Sequence, residues 1–321
     1  MIETIRKATP NGQGVLLGIG DDAAWVRCSS NSTLITSDLL IEGVHFDLQW
    51  ASFFTLGYKS LAVNLSDVAA MGGRPSYMVV SLGIPAGFST EHIQEFYRGL
   101  QSLASETGVG LVGGDTSASK RFFISVCLLG HARYGAIPRS GGKTDDDLYV
   151  TGTLGDSALG LELLKTGRGK EKRRHRAYLI SRHNCPTARL KAGEILAKER
   201  LAKAMIDVSD GLLQDLGHIC KASGIGAVVW QEQVPLSPAC RSIAAQKGFL
   251  YALTGGEDYE LLFSSRPRDR RRLERIQGQL GVPVTRIGKC QPSREGIKVI
   301  GPNGKPTDIA AKGYDHFKNR L

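Results

Sequence analysis

The sequence predicts a two-domain chain of mixed α/β (α+β) class. Apolar runs of strand length alternate with longer segments in which apolar residues recur at helical spacing, as in layered folds of helices and sheets. The chain has 321 residues, which is long for a single hydrophobic core. A polar, Gly-rich stretch at 137–147 separates two halves with the same mixture of elements. We therefore predict two α/β domains, residues 1–136 and 137–321.

The first half contains two predicted helices, at 53–71 and 90–107. Gly72 and Gly108 follow them directly, where glycine commonly terminates a helix. Strands are predicted at 33–36, 77–82 and 122–129.

The second half repeats this mixture without any short-period repeat. Helices are predicted at 158–165, 187–198, 212–223 and 267–280, and strands at 148–151, 227–230 and 260–264.

The charge of the chain favours anionic ligands. Lys and Arg number 41 against 31 Asp and Glu, which gives a formal net charge of +10. Such an excess is compatible with nucleic acid, a membrane surface, or nucleotide and phosphate-ester substrates. The most basic stretch, 168–176, lies between two candidate helices and has no aromatic residue to stack on a base. We interpret it as a solvated loop and expect no nucleic-acid partner.

Cysteine usage and hydropathy indicate a cytoplasmic protein. The six cysteines form no C-x-x-C pair, so we expect free, mostly buried thiols in a reducing compartment. No apolar run approaches the ~18 residues of a membrane-spanning helix. The first four residues lack the basic-then-apolar pattern of a signal peptide. We therefore expect no membrane partner.

Aspartates carry the most informative pattern in the chain. They stand beside glycines or at the ends of strand-like runs in four segments, and a fifth lies on a helix: Asp21–Asp22, Asp38, Asp115, Asp207 with Asp210, and Asp67. One such aspartate alone would be interpreted as a turn residue or a helix cap. Carboxylates that converge repel each other unless a cation holds them, and hard oxygen ligands with few His or Cys nearby select Mg²⁺. The repeated pattern therefore predicts a magnesium site.

The helix at 53–71 adds a polar stripe to this pattern. Ser60, Asn64 and Asp67 fall at i, i+4 and i+7, and so share one face of the helix. A stripe of this kind can line a binding site.

Several common catalytic motifs are missing. The chain has no G-x-x-x-x-G-K-[ST] phosphate loop, no G-x-S-x-G nucleophile elbow and no H-E-x-x-H zinc motif. Gly18–Gly20 matches only half of a dinucleotide fingerprint, and alanines follow where its third glycine belongs. Hydrolase and zinc-enzyme classes therefore lose their usual support.

Taken together and in order, eight segments between residues 18 and 317 resemble the thiamine-monophosphate kinase family. Each motif alone is moderately specific, but the ordered set is highly specific. The segments are Gly18-Ile19-Gly20-Asp21-Asp22-Ala23-Ala24, Thr36-Ser37-Asp38, Gly43-Val44-His45-Phe46, Lys59 to Gly73, Gly113-Gly114-Asp115-Thr116, Ser209-Asp210-Gly211-Leu212, Gly255-Gly256-Glu257-Asp258-Tyr259-Glu260 and Gly313-Tyr314-Asp315-His316-Phe317.

The resemblance implies the fold shared with aminoimidazole ribonucleotide synthetase. In that fold an N-terminal α/β domain joins a second subunit in a dimeric β-barrel, and a C-terminal α/β domain closes over the nucleotide. It also implies a homodimeric kinase that uses ATP and several Mg²⁺ ions to convert thiamine monophosphate into thiamine diphosphate.

The same resemblance assigns site residues by position. The implied metal ligands are Asp22, Thr36, Ser37, Asp38, Asp67, Asp115, Asp207 and Asp210. The implied ATP contacts are Tyr97, Gly114, Asp115, Arg139 and Ser209. The implied contacts to thiamine monophosphate are His45, Glu257 and Tyr314.

General chemistry of phosphoryl transfer supports these roles independently. Transfer between two polyanions needs charge neutralisation and in-line alignment more than a covalent intermediate. Among the residues that the resemblance assigns, we expect Asp67, Asp115, Arg139 and Asp210 to carry catalysis. The accepting phosphate oxygen is already ionised at neutral pH, so we assign no general base.

Each substrate contact also has a structural interpretation. His45 could be an ordinary partly exposed histidine, and Glu257 could cap the element after it. Tyr314 could pin the C-terminal tail to the core, and Arg139 could be a solvated residue of a linker.

Two positions depart from the family pattern. Asp146 stands where a glycine is usual and Ala188 where a proline is usual, which puts the geometry of these loops in question. Rival hypotheses are a synthetase or hydrogenase-maturation relative of the same superfamily, and a basic nucleic-acid-binding protein. A selenophosphate synthetase would show a reactive cysteine in a Gly-rich N-terminal segment, and no cysteine precedes Cys28. The maturation relative would end in cysteine, but this sequence ends in Leu321.

Overall fold

The computed structural model describes residues 15–17, 22, 24–28, 31–167 and 172–307. The chain forms two compact units, Met1–Ala136 and Ile137–Leu321. Each unit has its own six-stranded sheet with helices packed against it, so the predicted mixed α/β class is confirmed.

The first unit is built on one mixed sheet. Its strands lie in the order β1-β2-β3-β6-β4-β5, and every pair is antiparallel except β4 with β5. The elements are β1 (Val15–Leu17), β2 (Ala24–Cys28), β3 (Asn31–Ile41), α1 (Phe53–Ala70), β4 (Arg74–Ile84), α2 (Thr90–Thr107), β5 (Gly110–Ala118) and β6 (Phe123–His131).

Local sequence explains the bounds of the two helices. Ser52 caps α1, because its side chain accepts the N–H of Thr55 and the Thr55 hydroxyl accepts the N–H of Ser52. Gly108 ends α2 with φ at 72°, as the sequence predicts. Helix α1 packs on β3, β4 and β6, and α2 packs on α1. The helices therefore cover one face of the sheet, which we call the inner face.

Helices α1 and α2 approach each other backbone to backbone through two glycines. A Cβ atom at Gly57 would lie 1.8 Å from the carbonyl oxygen of Phe96, and one at Gly99 would lie 1.8 Å from that of Phe54. Any side chain at either position would push the helices apart.

We expect Gly99→Ala to destabilise the protein by about 2–3 kcal/mol, at the upper end of the cost of overpacking. The measurement is urea unfolding followed by circular dichroism. Gly278→Ala is the matched control, because Gly278 is also helical but has no atom within 4 Å of its added Cβ. The control should be neutral or slightly stabilising. Equal stability of the two variants would contradict this packing.

The second unit has a separate sheet in the order β12-β9-β11-β7-β10-β8, antiparallel except for β12 with β9. Its helices bury leucines and isoleucines against this sheet, for example Leu159, Leu213 and Ile219. The elements are β7 (Asp147–Thr151), α3 (Asp156–Thr166), α4 (Arg173–Asn184), α5 (Leu190–Lys198), β8 (Ala204–Asp207), α6 (Leu212–Ser223), β9 (Ile225–Trp230), α7 (Pro238–Ala244), α8 (Gly248–Thr254), β10 (Leu261–Ser265), α9 (Arg270–Leu280), β11 (Val284–Pro292) and β12 (Ile297–Ile300).

Two sequence interpretations need correction or restriction. The loop expected at 168–176 is wrong from Arg173 onward, where α4 begins, and residues 168–171 lie outside the described part of the chain. Helix α4 buries only Leu179 and His183, so its apolar periodicity is too weak to recognise. The described strands of the first unit form an open sheet, and one chain by itself does not close a barrel.

No helix within the described ranges combines the length and the apolar character that crossing a membrane requires.

Candidate functional site

Oxygen ligands of the first unit gather where β3 meets α1. The buried Thr36 hydroxyl donates a hydrogen bond to the Asp67 carboxylate, and it also lies 3.3 Å from the backbone oxygen of Asp22. Asp22 is buried, and one of its carboxylate oxygens lies within 4.8 Å of one from Asp67. Three residues from separate predicted segments therefore converge.

The polar stripe of α1 ties the helix to β3. The backbone N–H of Asp38 donates to the side-chain oxygen of Asn64 at 3.2 Å, and the Asn64 amide donates to the Ser60 carbonyl at 3.0 Å. Ser60 and Asn64 are buried, so the stripe faces the protein interior. This bridge fixes Asp38 next to the face that carries Asp67.

Electrostatics at this cluster favours a bound cation. Burial, together with the nearby charge of Asp22, raises the pKa of Asp38 to about 6. A positive ion between the carboxylates would offset both effects. All donors here are hard oxygens from carboxylates and a hydroxyl, which suits Mg²⁺.

The sheet separates two other predicted ligands from this cluster. Strand register pairs Asp115 with Ser81, Ser81 with Ser125, and Ser125 with Leu39. Because side chains alternate along a strand, Ser37 and Asp115 lie on the outer face together with Leu39, opposite Thr36 and Asp38. At ~4.8 Å per strand, Asp115 is also about 14 Å from β3. Within one chain, these residues are not brought together.

Tyr97 lies on α2 beside an open cavity. The cavity measures about 560 Å³ and is lined by Thr90, Glu91, Ile93, Gln94, Tyr97, Arg98 and Gln101. The Tyr97 ring packs edge-on against Phe96 at 5.4 Å between centroids, and burial raises the pKa of its hydroxyl. A half-buried ring with polar neighbours could stack on a nucleotide base.

His45 lies in the turn after β3. Its Nδ1 accepts the backbone N–H of Ile41 at 3.0 Å, so a neutral ring carries its proton on Nε2. The ring is thus oriented by its own turn.

The second unit places its predicted ligands on one turn between β8 and α6. Asp207 ends β8 in a buried position, and Ser209 and Asp210 follow before α6 begins. The Asp210 carboxylate accepts a hydrogen bond from the Gln214 side chain at 2.9 Å. We call residues 207–211 the metal turn.

A second segment, Gly255 to Glu260, is locked against the metal turn by backbone hydrogen bonds. The N–H of Glu257 donates to the Ser209 carbonyl at 2.8 Å, and the N–H of Tyr259 donates to the Val208 carbonyl at 2.9 Å. Glu257 and Tyr259 have φ values of 66° and 53°, which non-glycine residues seldom adopt. Strain of this kind is often retained at functional positions.

Buried ion pairs and hydrogen bonds hold this second segment in place. His183 Nδ1 lies 3.2 Å from the Glu257 carboxylate, and Arg182 and Arg189 both pair with the fully buried Glu260. Asp258 accepts the N–H groups of Gly155 and Ser157, and burial raises its pKa to about 7. Glu257 is therefore held in place by its neighbours.

The structure says less about two of the predicted site residues, Arg139 and Tyr314. Arg139 is half-buried in the segment before β7, and its carbonyl accepts the Ser223 hydroxyl at 3.1 Å. Tyr314 lies outside the described residues.

Sequence reasoning missed several residues that support the site, including Gln214, Asp215, His183 and Glu260. Each acts through a hydrogen bond or ion pair to a residue of another segment or to the turn before its helix. Glu260 falls within a family segment, but no motif in the sequence marks such contacts or assigns it a role. Of these four residues, only Asp215 could be noticed in the sequence, because acidic residues favour the first turn of a helix. That pattern indicates a helix N-terminus rather than a functional role.

Known protein families and individual relatives match nearly the whole chain. The family models for AIR synthase related protein, N-terminal domain and C-terminal domain, match residues 20–132 and 143–300. The thiamine-monophosphate kinase of Salmonella typhimurium is 41% identical over 305 residues, which cover 94% of this chain and 91% of that protein.

Solved structures give the same result. AaThiL complexed with AMPPCP and TMP has a TM-score of 0.85 at 35% identity and covers 98% of this chain and 96% of its own. Thiamine-monophosphate kinase from Stenotrophomonas maltophilia has a TM-score of 0.79 at 37% identity and covers 95% of this chain and 96% of its own.

Proposed function

The chain belongs to the thiamine-monophosphate kinase family, and from this premise we propose that it transfers the γ-phosphoryl group of ATP to thiamine monophosphate. Its two-domain fold is that of the AIR synthase related proteins. The products are ADP and thiamine diphosphate. The observation that best supports the mechanism is the convergence of oxygen ligands at Asp22, Thr36 and Asp67.

The reaction needs little from the protein beyond charge and alignment. An oxygen of the thiamine monophosphate attacks the γ-phosphorus, and the bond from that phosphorus to the bridging β–γ oxygen breaks. ADP leaves with the bonding electron pair. The attacking oxygen is already ionised, so the chain needs no strong general base.

We propose that the oxygen ligands hold several Mg²⁺ ions. Asp22, Thr36, Asp38 and Asp67 form the set in the first unit, and Asp207 and Asp210 form the set on the metal turn. Bound Mg²⁺ would neutralise phosphate charge and polarise the transferred group. We propose Ser37 and Asp115 as further metal ligands by their position in the family, although within one chain they lie apart from the cluster at Thr36 and Asp67.

The ATP contacts are proposed by position in the family. Tyr97 would stack on the base, and the half-buried Arg139 would offer its planar fork to the phosphates. Gly114, Asp115 and Ser209 complete this set. Ser209 adjoins both Asp210 and, through a backbone hydrogen bond, Glu257.

The acceptor contacts rest on two ordered side chains. His45 can donate from Nε2 to a phosphate oxygen, since its Nδ1 is occupied by Ile41. Glu257 can face the positive thiazolium ring of thiamine, because His183 holds its carboxylate. Tyr314 stays a prediction from the family pattern.

A coupled assay of ADP formation tests the proposed function. We expect ADP release with thiamine monophosphate and none above background with thiamine or with aminoimidazole precursors. Turnover on an aminoimidazole precursor would support the synthetase hypothesis instead. No turnover on any acceptor, combined with salt-sensitive oligonucleotide binding, would support the nucleic-acid hypothesis.

Arg139→Lys should not behave as a conservative change. Lysine keeps the charge but lacks the bidentate fork, so we expect a higher KM for ATP, a lower kcat, or both. Steady-state kinetics with varied ATP measure this effect. If KM and kcat both stay within a factor of about two, the role assigned to Arg139 is wrong.

We also propose a homodimer that uses the outer face of the first sheet. Leu39 and Tyr77 lie on this face and are 46% and 56% exposed, which is unusual for large apolar residues within a sheet. The open sheet could be completed by a second copy, as in the dimeric barrel that the family resemblance implies.

Tyr77→Arg should convert the proposed dimer into a monomer in sedimentation velocity, because each copy would place a charge in the proposed apolar interface. Leu250→Arg is the control, since Leu250 is 52% exposed but belongs to α8 of the second unit. It should leave the dimer intact. A wild-type monomer at micromolar concentration would contradict the proposal.

A further inference from the structure

We propose that Asp215 is a positioning residue that presets the metal turn for cation binding. This inference rests on the proposed function, because it assigns Asp210 and Asp207 to metal binding. Asp215 lies in the first turn of α6 and is almost completely buried. It matches no position that the family resemblance assigns.

One carboxylate oxygen of Asp215 organises three consecutive peptide groups. Its Oδ2 accepts the backbone N–H groups of Ser209, Asp210 and Gly211, each at 3.1 Å. Three hydrogen bonds to one atom fix the orientation of successive peptide planes. The path of the backbone at Asp210 therefore depends on this carboxylate.

The same helical turn also orients the Asp210 side chain. Gln214, the residue before Asp215, donates to Asp210 Oδ2 at 2.9 Å. Adjacent residues thus hold the backbone and the carboxylate of the same proposed ligand. Partners of this kind around a metal ligand commonly change metal affinity by ~10–100-fold when they are removed.

The turn has little freedom to adopt another path. Gly211 has φ at 120°, and an added Cβ would lie 2.9 Å from the carbonyl group of Thr254. On its other side, the Ser209 carbonyl accepts the N–H of Glu257. Loss of the Asp215 contacts should therefore misalign the turn rather than let it relax into an equivalent geometry.

Direct metal ligation by Asp215 is a weaker interpretation. Oxygens of Asp210 and Asp215 and a ring nitrogen of His218 lie within 4.8 Å of one another. However, Oδ2 of Asp215 accepts three backbone donors, so this oxygen is turned toward the peptide groups of the turn. The geometry therefore favours a role that acts through Asp210.

The test is Mn²⁺ binding, measured by electron paramagnetic resonance of free Mn²⁺ in the presence of ATP. Mn²⁺ accepts the same hard oxygen ligands as Mg²⁺. We expect Asp215→Asn to weaken Mn²⁺ binding at least ~10-fold, with a matching rise in the Mg²⁺ concentration for half-maximal activity. Gln214→Leu should weaken it less, and should barely change urea unfolding.

Asp147→Asn is the matched control. Asp147 is equally buried in the second unit, but it pairs with Arg270 and Arg286, which have no assigned role in the site. This variant should lose stability and keep its Mn²⁺ affinity. Should Asp215→Asn prove too unstable to purify, Asp215→Glu takes its place, because it keeps the charge but moves the carboxylate away from the three N–H groups; it should weaken Mn²⁺ binding in the same direction.

Wild-type Mn²⁺ affinity in Asp215→Asn would overturn the inference and reduce Asp215 to a helix cap. This outcome is separable from failure of the proposed function. If the wild-type protein binds Mn²⁺ and the variants do not, yet thiamine monophosphate is never phosphorylated, the positioning role stands and the proposed reaction fails.

Discussion

Asp67→Asn should lower kcat by at least ~10²-fold while the protein stays folded. Loss of one key electrostatic contact in the transition state typically costs this much. Asparagine keeps the shape of the side chain and an oxygen that can accept the Thr36 hydroxyl, so the link between α1 and β3 should survive. Removing a carboxylate near Asp22 and Asp38 should also relieve repulsion, so stability without metal should hold or rise slightly.

The measurement is kcat across a Mg²⁺ titration beside a thermal melt without metal. We expect partial rescue at high Mg²⁺. Glu106→Gln removes one exposed charge from α2 of the same unit and should change neither quantity. Near-normal turnover would remove Asp67 from the site, and a collapsed melting temperature would make it a structural residue.

Glu260→Gln should have the largest effect on stability, a loss of about 3–5 kcal/mol. The Glu260 side chain is fully buried and pairs with Arg182 at 2.9 Å and with Arg189 through two hydrogen bonds. Thr151 donates a further hydrogen bond at 2.7 Å. Glutamine would remove the one carboxylate with which both of these largely buried guanidinium groups pair.

Urea unfolding of the second unit measures this loss, and Glu295→Gln is its control. Glu295 pairs with Lys298 at 3.1 Å, but both side chains are about 40% exposed, so the change should cost ~0–1 kcal/mol. If both variants lose the same stability, the buried network contributes no more than a surface ion pair.

The sequence predicts helices well where caps and periodicity agree. The predicted helix at 90–107 matches α2, and the predicted helix at 53–71 matches α1 to within one residue. Ser52 caps the start of α1, and Gly108 ends α2. The sequence does not predict helix α4, because this helix has neither apolar periodicity nor a capping side chain.

Strands were predicted less completely, because their extent depends on partners. The strand predicted at 33–36 continues to Ile41 in β3, since pairing with β6 carries it past the polar Ser37 and Asp38. Strand β5 was missed altogether. Its glycines and polar residues lack a strand signature, and only parallel pairing with β4 defines it.

The candidate site also has parts that the sequence predicts and parts that depend on tertiary contacts. Glycine-flanked aspartates are visible in the sequence because their spacing repeats, and the structure brings Asp22, Thr36 and Asp67 together. The face on which each ligand lies depends on strand register, so the separation of Asp115 from Asp38 could not be foreseen. Long-range supports such as His183 and Glu260 depend on tertiary contacts alone.

Phosphorus NMR of a reaction with equal ATP and thiamine monophosphate tests the central claim most directly. Transfer onto an existing phosphate predicts that thiamine diphosphate and ADP appear one for one, without inorganic phosphate. Inorganic phosphate accumulating beside unchanged thiamine monophosphate, or ATP left intact with Mg²⁺ present, would contradict it.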